Sequence, residues 1–502
     1  MKKRVLNILL AFFAISSFYS CNNLLDVKPR TAVDAATALT NEVGLRAALR
    51  GAYDRLQSTD LYGSSQIAFA EALSDNGRGR LANGASTNSG RLSAQLQSII
   101  GAHMVGWSQY YLLINQLNLI LEATPKVTDL SPAVRNSIEA QALFLRALAY
   151  HDLVKTYAYD PGVEVAANDR GGVPLVLTGV LDAAQVTFPA RAPVQEVYDQ
   201  IYKDLDEATA KLANAETIPA PAFANAAAVN ALYSRVALYR RDYTTALAKG
   251  NAALLAGAPP IVASTSYTAS WRQQVHPESI FELPFTTPEN IGVNVSLQSY
   301  FTSTVAGQPN TVTGGFGDLV INDIYGNQLF TAFNTNPPGF SGLVDQRSTL
   351  IAPGAVFRGN SVLRELTKFY GKNGQINLDN IPLIRTPEVI LNIAEAQYYL
   401  GDEAGANTNL KRILDARYTL GGSAVSLTFN YTGLALLNEI LRQRRLELAF
   451  EGHRFYDLKR NGENIPRPGG LPVLQYTDIR ILAPIPQGDL DANPNLVQNA
   501  GY

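Results

Sequence analysis

Charged side chains crowd one short stretch, LRQRRLELAFEGHRFYDLKRNG, between Leu441 and Gly462: Arg444, Arg445, Glu447, Glu451, Arg454, Asp457, Lys459 and Arg460 surround Leu441, Leu448, Phe455 and Leu458. Carboxylates set this close to guanidiniums could carry acid or base chemistry, because neighbouring charges shift one another's proton affinity. The same density suits an ion-pair network that pins two helices. Opposite charges three residues apart, Arg444/Glu447 and Arg454/Asp457, would then meet on one helix face. An active site needs further groups, and the sequence supplies few. The histidines at 103, 151, 276 and 453 form no H-E-x-x-H or other paired metal spacing, and no G-x-S-x-G elbow is present. Asp489, Asp491 and Asn493 start like a calcium loop, but Pro494 stands where Gly is needed and Ala500 where Glu is needed. Gly77, Gly79 and Gly84 do not have the spacing of a nucleotide loop. Carboxylate pairs for glycoside hydrolysis stay open, since their members can lie far apart in the chain. The balance points to a binding protein without cofactor or metal, and to the charged stretch as a structural clasp.

The elements around the clasp are helical. Gly452 interrupts the clasp pattern, which predicts one helix ending near Phe450 and a second starting close to His453. Upstream, Val43, Leu45, Ala48, Leu49, Ala52, Tyr53 and Leu56 make a 3.6-residue stripe over Asn41–Gln57. The polar run from Ser74 to Ser89 predicts a surface loop. Helical patterns follow from Leu92 to Glu122 and from Ser131 to Tyr157, with a Thr124-Pro125 break and a Ser131-Pro132 restart. More run from Val194 to Leu212 and from Ala224 to Tyr239. Ser234 and Ala246 lie twelve positions apart across a turn at Arg241-Asp242, and Ala394 and Ala406 repeat that separation across Gly401-Asp402. Small residues there let two helices approach closely, as in tetratricopeptide units of about 34 residues. Between these hairpins, residues 259–387 are rich in Gly, Pro, Thr, Asn and Tyr, and helical periodicity is lost apart from short apolar runs such as Ile280–Phe285. That predicts an irregular lobe inserted into a helical scaffold, the kind of insertion that forms a binding face. Trp107 and Trp271 have apolar neighbours and read as core.

The N-terminus carries an address. Lys2, Lys3 and Arg4 precede an apolar run from Val5 to Ile15, then Ser16, Ser17 and Ser20 lead to Cys21, the single cysteine of the chain. Residues 1–20 read as an export signal and Cys21 as a lipidation site, which would anchor the protein without spanning the membrane. Losing residues 1–20 removes three bases and no acid, leaving a net charge of −5 with His neutral. No basic stripe for nucleic acid appears.

In this order, the CNNLLDVKP start, QALFLRALAYHDLVKTY with GGVPLVL, RVALYRRDYTTAL, IFELPF, RTPEVILNIAEAQYYLG, RRLELAFEGHRFYDLKRNG and the closing IPQGDLDANPNLVQNAGY resemble the SusD/RagB lipoproteins of Bacteroidetes. The resemblance covers essentially the whole mature chain. It implies a mainly α fold of about four tetratricopeptide-like helix pairs with an irregular lobe. A single SusD-like domain would then span 21–502, divided into a helical part at 21–258, the lobe at 259–387 and a C-terminal part at 388–502. It further implies a lipid anchor in the outer membrane through Cys21, facing outward, and capture of an oligosaccharide for a SusC-like TonB-dependent transporter. Peptide binding, as in RagB, or a scaffold role without ligand are the alternatives. By position in such a fold, ligand contacts fall on Asp75, Asn76 and Arg78 in the first loop and on Tyr300, Phe301, Asp318 and Tyr325 in the lobe. Aromatic faces would stack on sugar rings while the polar groups bond hydroxyls.

Overall fold

In the computed structural model, which describes residues 38–80, 92, 104–305, 307–309, 311–312, 314–321, 329–467 and 472–502, the first apolar stripe becomes helix α1, Glu42–Leu56. Asn41 caps it by accepting from the Gly44 N–H at 3.0 Å, and Leu45, Leu49, Ala52, Tyr53 and Leu56 face the core. Helix α2, Ser65–Leu73, is buried along its whole length. Helix α3 is Trp107–Ala123 and helix α4 Pro132–Tyr157. Ser131 caps α4 through the Val134 N–H and Pro132 opens it, as the sequence predicts. Every residue of α4 from Ser137 to Tyr157 is buried, so this helix is the centre of the N-terminal part. Helix α5, Val194–Leu212, packs along it.

The two predicted hairpins form. Helices α6, Ala226–Arg240, and α7, Tyr243–Leu255, turn at Arg241 in the left-handed region, and Asp242 caps α7 through the Thr245 N–H. The Ser234 hydroxyl donates to the Ala246 carbonyl at 2.8 Å, so the small pair is a direct helix-to-helix contact. Helices α8, Thr386–Tyr399, and α9, Glu403–Arg417, repeat the design with Asp402 as cap, and Ala394 and Ala406 are both buried. Helix α7 lies against α8, which stacks one hairpin on the other in tetratricopeptide fashion. Helices α10, Gly433–Glu447, and α11, Arg454–Arg460, complete the scaffold.

The lobe between α7 and α8 is built from short strand pairs. Strands β1, Gly77–Gly79, and β3, Leu319–Ile321, pair antiparallel, as do β2, Ser279–Leu283, and β7, Ile381–Arg385, which close the lobe at its two ends. Val344–Asp345 forms β4, and Ile351–Pro353 and Arg364–Leu366 form the hairpin β5–β6. Tyr418–Leu420, β8, joins β4 to Ser423–Ala424, β9. Trp107 and Trp271 are buried, as expected. Asp489, Asp491 and their neighbours lie in a one-turn helix, Gln487–Ala492, instead of a calcium loop.

Two expectations are corrected. Residues 74–80 are not a surface loop: Ser74, Asp75 and Asn76 are buried, and the segment continues into β1. The clasp helix stops at Glu447, three residues early, because Phe450 and Gly452 both adopt positive φ. Most clasp charges also pass over their near neighbours in sequence, Arg460 with Asp457 at 2.9 Å being the local pair that forms. Glu447 instead accepts from Arg385 at 2.9 Å and from Arg417 at 2.8 Å, while Glu451 takes Arg385 and Lys368, both at 2.6 Å. Arg444 pairs with Asp457 across the turn at 2.9 Å, and Arg454 with Asp75 at 2.6 Å. Against the upward push of burial, these guanidiniums hold the Glu447 carboxyl well below the usual carboxylate range. The clasp thus ties α10 and α11 to the lobe, to β7 and to the segment before β1.

Candidate ligand-binding surface

Polar chain from two distant regions meets at the β1–β3 seam. Arg78 stands opposite Val320, and the Arg80 N–H donates to the Asp318 carbonyl at 2.7 Å. The Arg80 guanidinium reaches on to the carbonyls of Phe316 at 2.8 Å, Arg358 at 3.0 Å and Gly317 at 3.2 Å. Beneath it, Glu365 accepts from the Ser303 N–H and hydroxyl, both at 2.7 Å, and from Asn360 at 2.7 Å. Gly317 has φ 61°, and a Cβ there would lie 2.3 Å from the Glu365 carboxylate, so glycine alone fits this turn.

The residues expected to contact ligand are brought to this region but turned inward. Tyr300 is 1% exposed and Phe301 0%, and Phe301 packs edge-on against Phe450 at 4.9 Å. Asp318 is likewise buried, with its carboxylate 3.9 Å from Arg80. Asn76 donates to Glu71 and accepts from Arg445 at 2.8 Å. Asp75 receives both Nε and Nη2 of Arg454 and an ion pair from Arg445 at 3.3 Å. Burial would raise its carboxyl, but the two guanidiniums hold it well below the ordinary value. Buried side chains cannot stack on a sugar, so Asp75, Asn76, Tyr300, Phe301 and Asp318 hold the surface in place instead of forming it. Arg78 is half-buried. Tyr325 and Cys21 lie outside the described residues.

Two features flank the seam. One is the tip of hairpin β5–β6, where Val356, Phe357 and Val362 are 53%, 79% and 84% exposed. Two contacts hold the base of the tip. Its Ala355 N–H donates to the Ser303 hydroxyl at 2.7 Å, and the Arg358 guanidinium sits 4.3 Å above the half-buried Phe316 ring. An aromatic between Gly354 and Gly359, in APGAVFRGN, was the sequence signal for this tip. The other feature is a cavity of about 240 Å³ beside the clasp, lined by Asn438, Arg442, Arg444, Arg445, Arg454, Asp457, Asn461 and Glu463. Its four guanidiniums are paired with Glu439, Asp457 and Asp75, and Glu463 faces the same space, so opposite charges balance there. Burial, and then the charge of Arg454, bring the Arg445 guanidinium down to about 10 even with Asp75 opposite.

This arrangement can stack, hydrogen-bond and pair charges. Among the described residues no group of three or more His, Cys, Asp or Glu could hold a metal ion. His151 and His276 are buried and His453 is half-buried, and desolvation pushes their imidazoles well below the usual value, towards the neutral form.

Comparison with known proteins gives consistent matches. The SusD family model matches residues 352–502, and a family model described as starch-binding associating with outer membrane matches residues 23–238. SusD-like protein P38 of Formosa agariphila is 24% identical, with 100% of each chain covered. Among solved structures, a putative sugar binding protein from Bacteroides vulgatus has TM-score 0.75 at 25% identity, covering 92% of this chain and 99% of its own. A laminarin binding SusD-like protein has TM-score 0.66 at 22% identity, covering 92% of this chain and 100% of its own.

Proposed function

Because the chain belongs to the SusD/RagB family, we propose that it is a surface lipoprotein that binds an oligosaccharide and hands it to a SusC-like TonB-dependent outer-membrane transporter. In this reading residues 1–20 are removed on export, Cys21 carries the lipid, and residues 21–502 act as one SusD-like domain. The protein binds and presents its ligand without transforming it. The observation that carries the glycan reading is the exposed Phe357 ring beside the Arg78 to Arg80 segment, whose guanidinium at Arg80 holds the Arg358 carbonyl. A ring face covers the C–H face of a sugar, while half-buried polar side chains bond its hydroxyls. The laminarin binding of one structural neighbour supports a β-glucan as the first ligand to try.

Phe357→Ala tests this. Loss of one stacking face of roughly 0.5–1.5 kcal/mol should weaken laminari-oligosaccharide binding about two- to thirteenfold in calorimetry. The ring is exposed, so thermal stability should not change. Undiminished affinity in this variant would move the platform elsewhere. A wild-type protein blank against a broad glycan panel, yet binding a peptide library, would overturn the sugar reading.

A further inference from the structure

A second open cavity, of about 190 Å³, lies where helix α3, residues 174–189 and the tail helix Gln487–Ala492 meet, and none of the residues of the proposed glycan surface lines it. Amides of the tail tie its walls together: Asn493 donates to the Pro189 carbonyl at 2.9 Å and Asn495 to the Phe188 carbonyl at 2.8 Å. On the other side the Tyr111 hydroxyl donates to the Pro174 carbonyl at 2.9 Å. Two rings face the space, Phe188 with 48% of its surface exposed and Tyr111 half-buried, while the buried Trp107 packs against Tyr111 at 5.0 Å. Val176, Ala492 and Leu496 add aliphatic surface.

One charge stands in this apolar setting. Asp489 is the single charged residue in the lining among the described residues; it is half-buried, and no cation there pairs with it. Burial raises its carboxyl above the usual value, and a hydrogen bond from the Trp107 indole offsets only part of that. The guanidinium of Arg191, whose charge reaches Tyr111, spends its five N–H donors on the carbonyls of Tyr157, Gly171, Gly172 and Val497 and on Asn499. Asp491, on the same short helix, is exposed and accepts from Gln487 at 2.7 Å, so the local balance stays negative. A partly desolvated carboxylate without a counter-charge gains from a cation, and ring faces attract the same charge through their quadrupole. The wall carbonyls of Pro174, Phe188 and Pro189 each already accept a side-chain donor, which leaves few acceptors for the three N–H groups of a primary ammonium. A fully methylated ammonium has no N–H to satisfy. We propose that this cavity takes a quaternary ammonium group of the kind carried by choline, with Asp489 as counter-charge and Phe188 and Tyr111 as the ring faces. Such a site would operate whether or not the protein also binds a glycan.

Calorimetry of the full mature protein would compare choline, tetramethylammonium, glucosamine as a primary amine, and 3,3-dimethylbutan-1-ol, the uncharged isostere of choline. Choline and tetramethylammonium should bind, and the isostere should bind about fivefold more weakly or worse, since it lacks the charge that Asp489 and the rings attract. Phe188→Ala should weaken choline about two- to fivefold through the lost ring face. Its ring is exposed, so the melting temperature should stay unchanged and the loss would not reflect unfolding. Asp489→Asn keeps an oxygen for the Trp107 indole and should weaken choline about fivefold or more while leaving the isostere unaffected. Equal binding of choline and its isostere, or choline affinity untouched by Asp489→Asn in a folded variant, would reduce the cavity to an apolar hollow and overturn the proposal. Glucosamine binding more tightly than choline would overturn the quaternary assignment in favour of a primary amine. Silence with all three ammonium compounds would remove the site altogether.

Discussion

Glu71 sits at the end of α2 with no water to solvate its charge. Its carboxyl accepts from the Gly452 N–H at 2.9 Å and from Asn76 at 3.0 Å, but burial outweighs both and pushes it up from the ordinary 4.5 to about 7. In the unfolded chain this group ionises near 4.5, whereas the folded protein keeps its proton until about pH 7. The unfolded state therefore binds fewer protons through that window, and stability falls as pH rises across it, by about 3 kcal/mol in total. Glu71→Gln cannot ionise. Urea unfolding at pH 4.5 and pH 7.5 should show the variant gaining about that much on the wild type at the higher pH; a constant difference would mean that Glu71 titrates normally. At this scale the sequence marked charged residues but not their partners. Arg454 and Asp457 looked like a helical pair, yet Arg454 reaches Asp75 and Asp457 takes Arg444 and Arg460. Phe357 was passed over because a lone ring in a turn-rich segment looks the same in sequence whether it is buried or exposed.

The hairpins of α6 with α7 and α8 with α9 show what an element inherits from its own residues. The turns at Arg241-Asp242 and Gly401-Asp402 and the small residues at 234, 246, 394 and 406 were readable because these signals are local. How the hairpins stack depends on a residue the pattern did not mark. A Cβ on Gly250 of α7 would lie 2.6 Å from Ile393 of α8 and 3.1 Å from the Ser234 hydroxyl. In an exposed helix, Gly to Ala stabilises by about 1 kcal/mol. Here the clash with a branched, buried side chain should win, because Ile393 has little room to yield, and Gly250→Ala should destabilise by about 1–2 kcal/mol. A chemical-denaturation midpoint that rises in this variant would show that the hairpins yield easily. Strand β1 is the opposite case. GRG has little strand propensity, and it forms because β3, more than two hundred residues away, offers a ladder and because burial demands that its backbone be paired.

For the whole molecule, the charged clasp links scaffold and lobe, since Glu447 and Glu451 take their cations from β7, the end of α9 and the lobe. No helix among the described residues is long and apolar enough to cross a bilayer, and the proposed function places attachment on a lipid at Cys21. Cys21→Ser should therefore move the protein from the membrane pellet to the soluble fraction on cell fractionation, and retention in the pellet would place the anchor elsewhere. The sequence by itself determined the helices, their caps, the family and the inserted lobe, because periodicity, capping and motif order are written in neighbouring residues. The resemblance assigned ligand contacts to Asp75, Asn76, Arg78, Tyr300, Phe301, Asp318 and Tyr325. Only the tertiary structure decided which of them face inward. Exposure and ion-pair choice depend on groups hundreds of positions apart, and the low dielectric of a packed interior makes a close, well-oriented distant partner outweigh a nearer one in sequence.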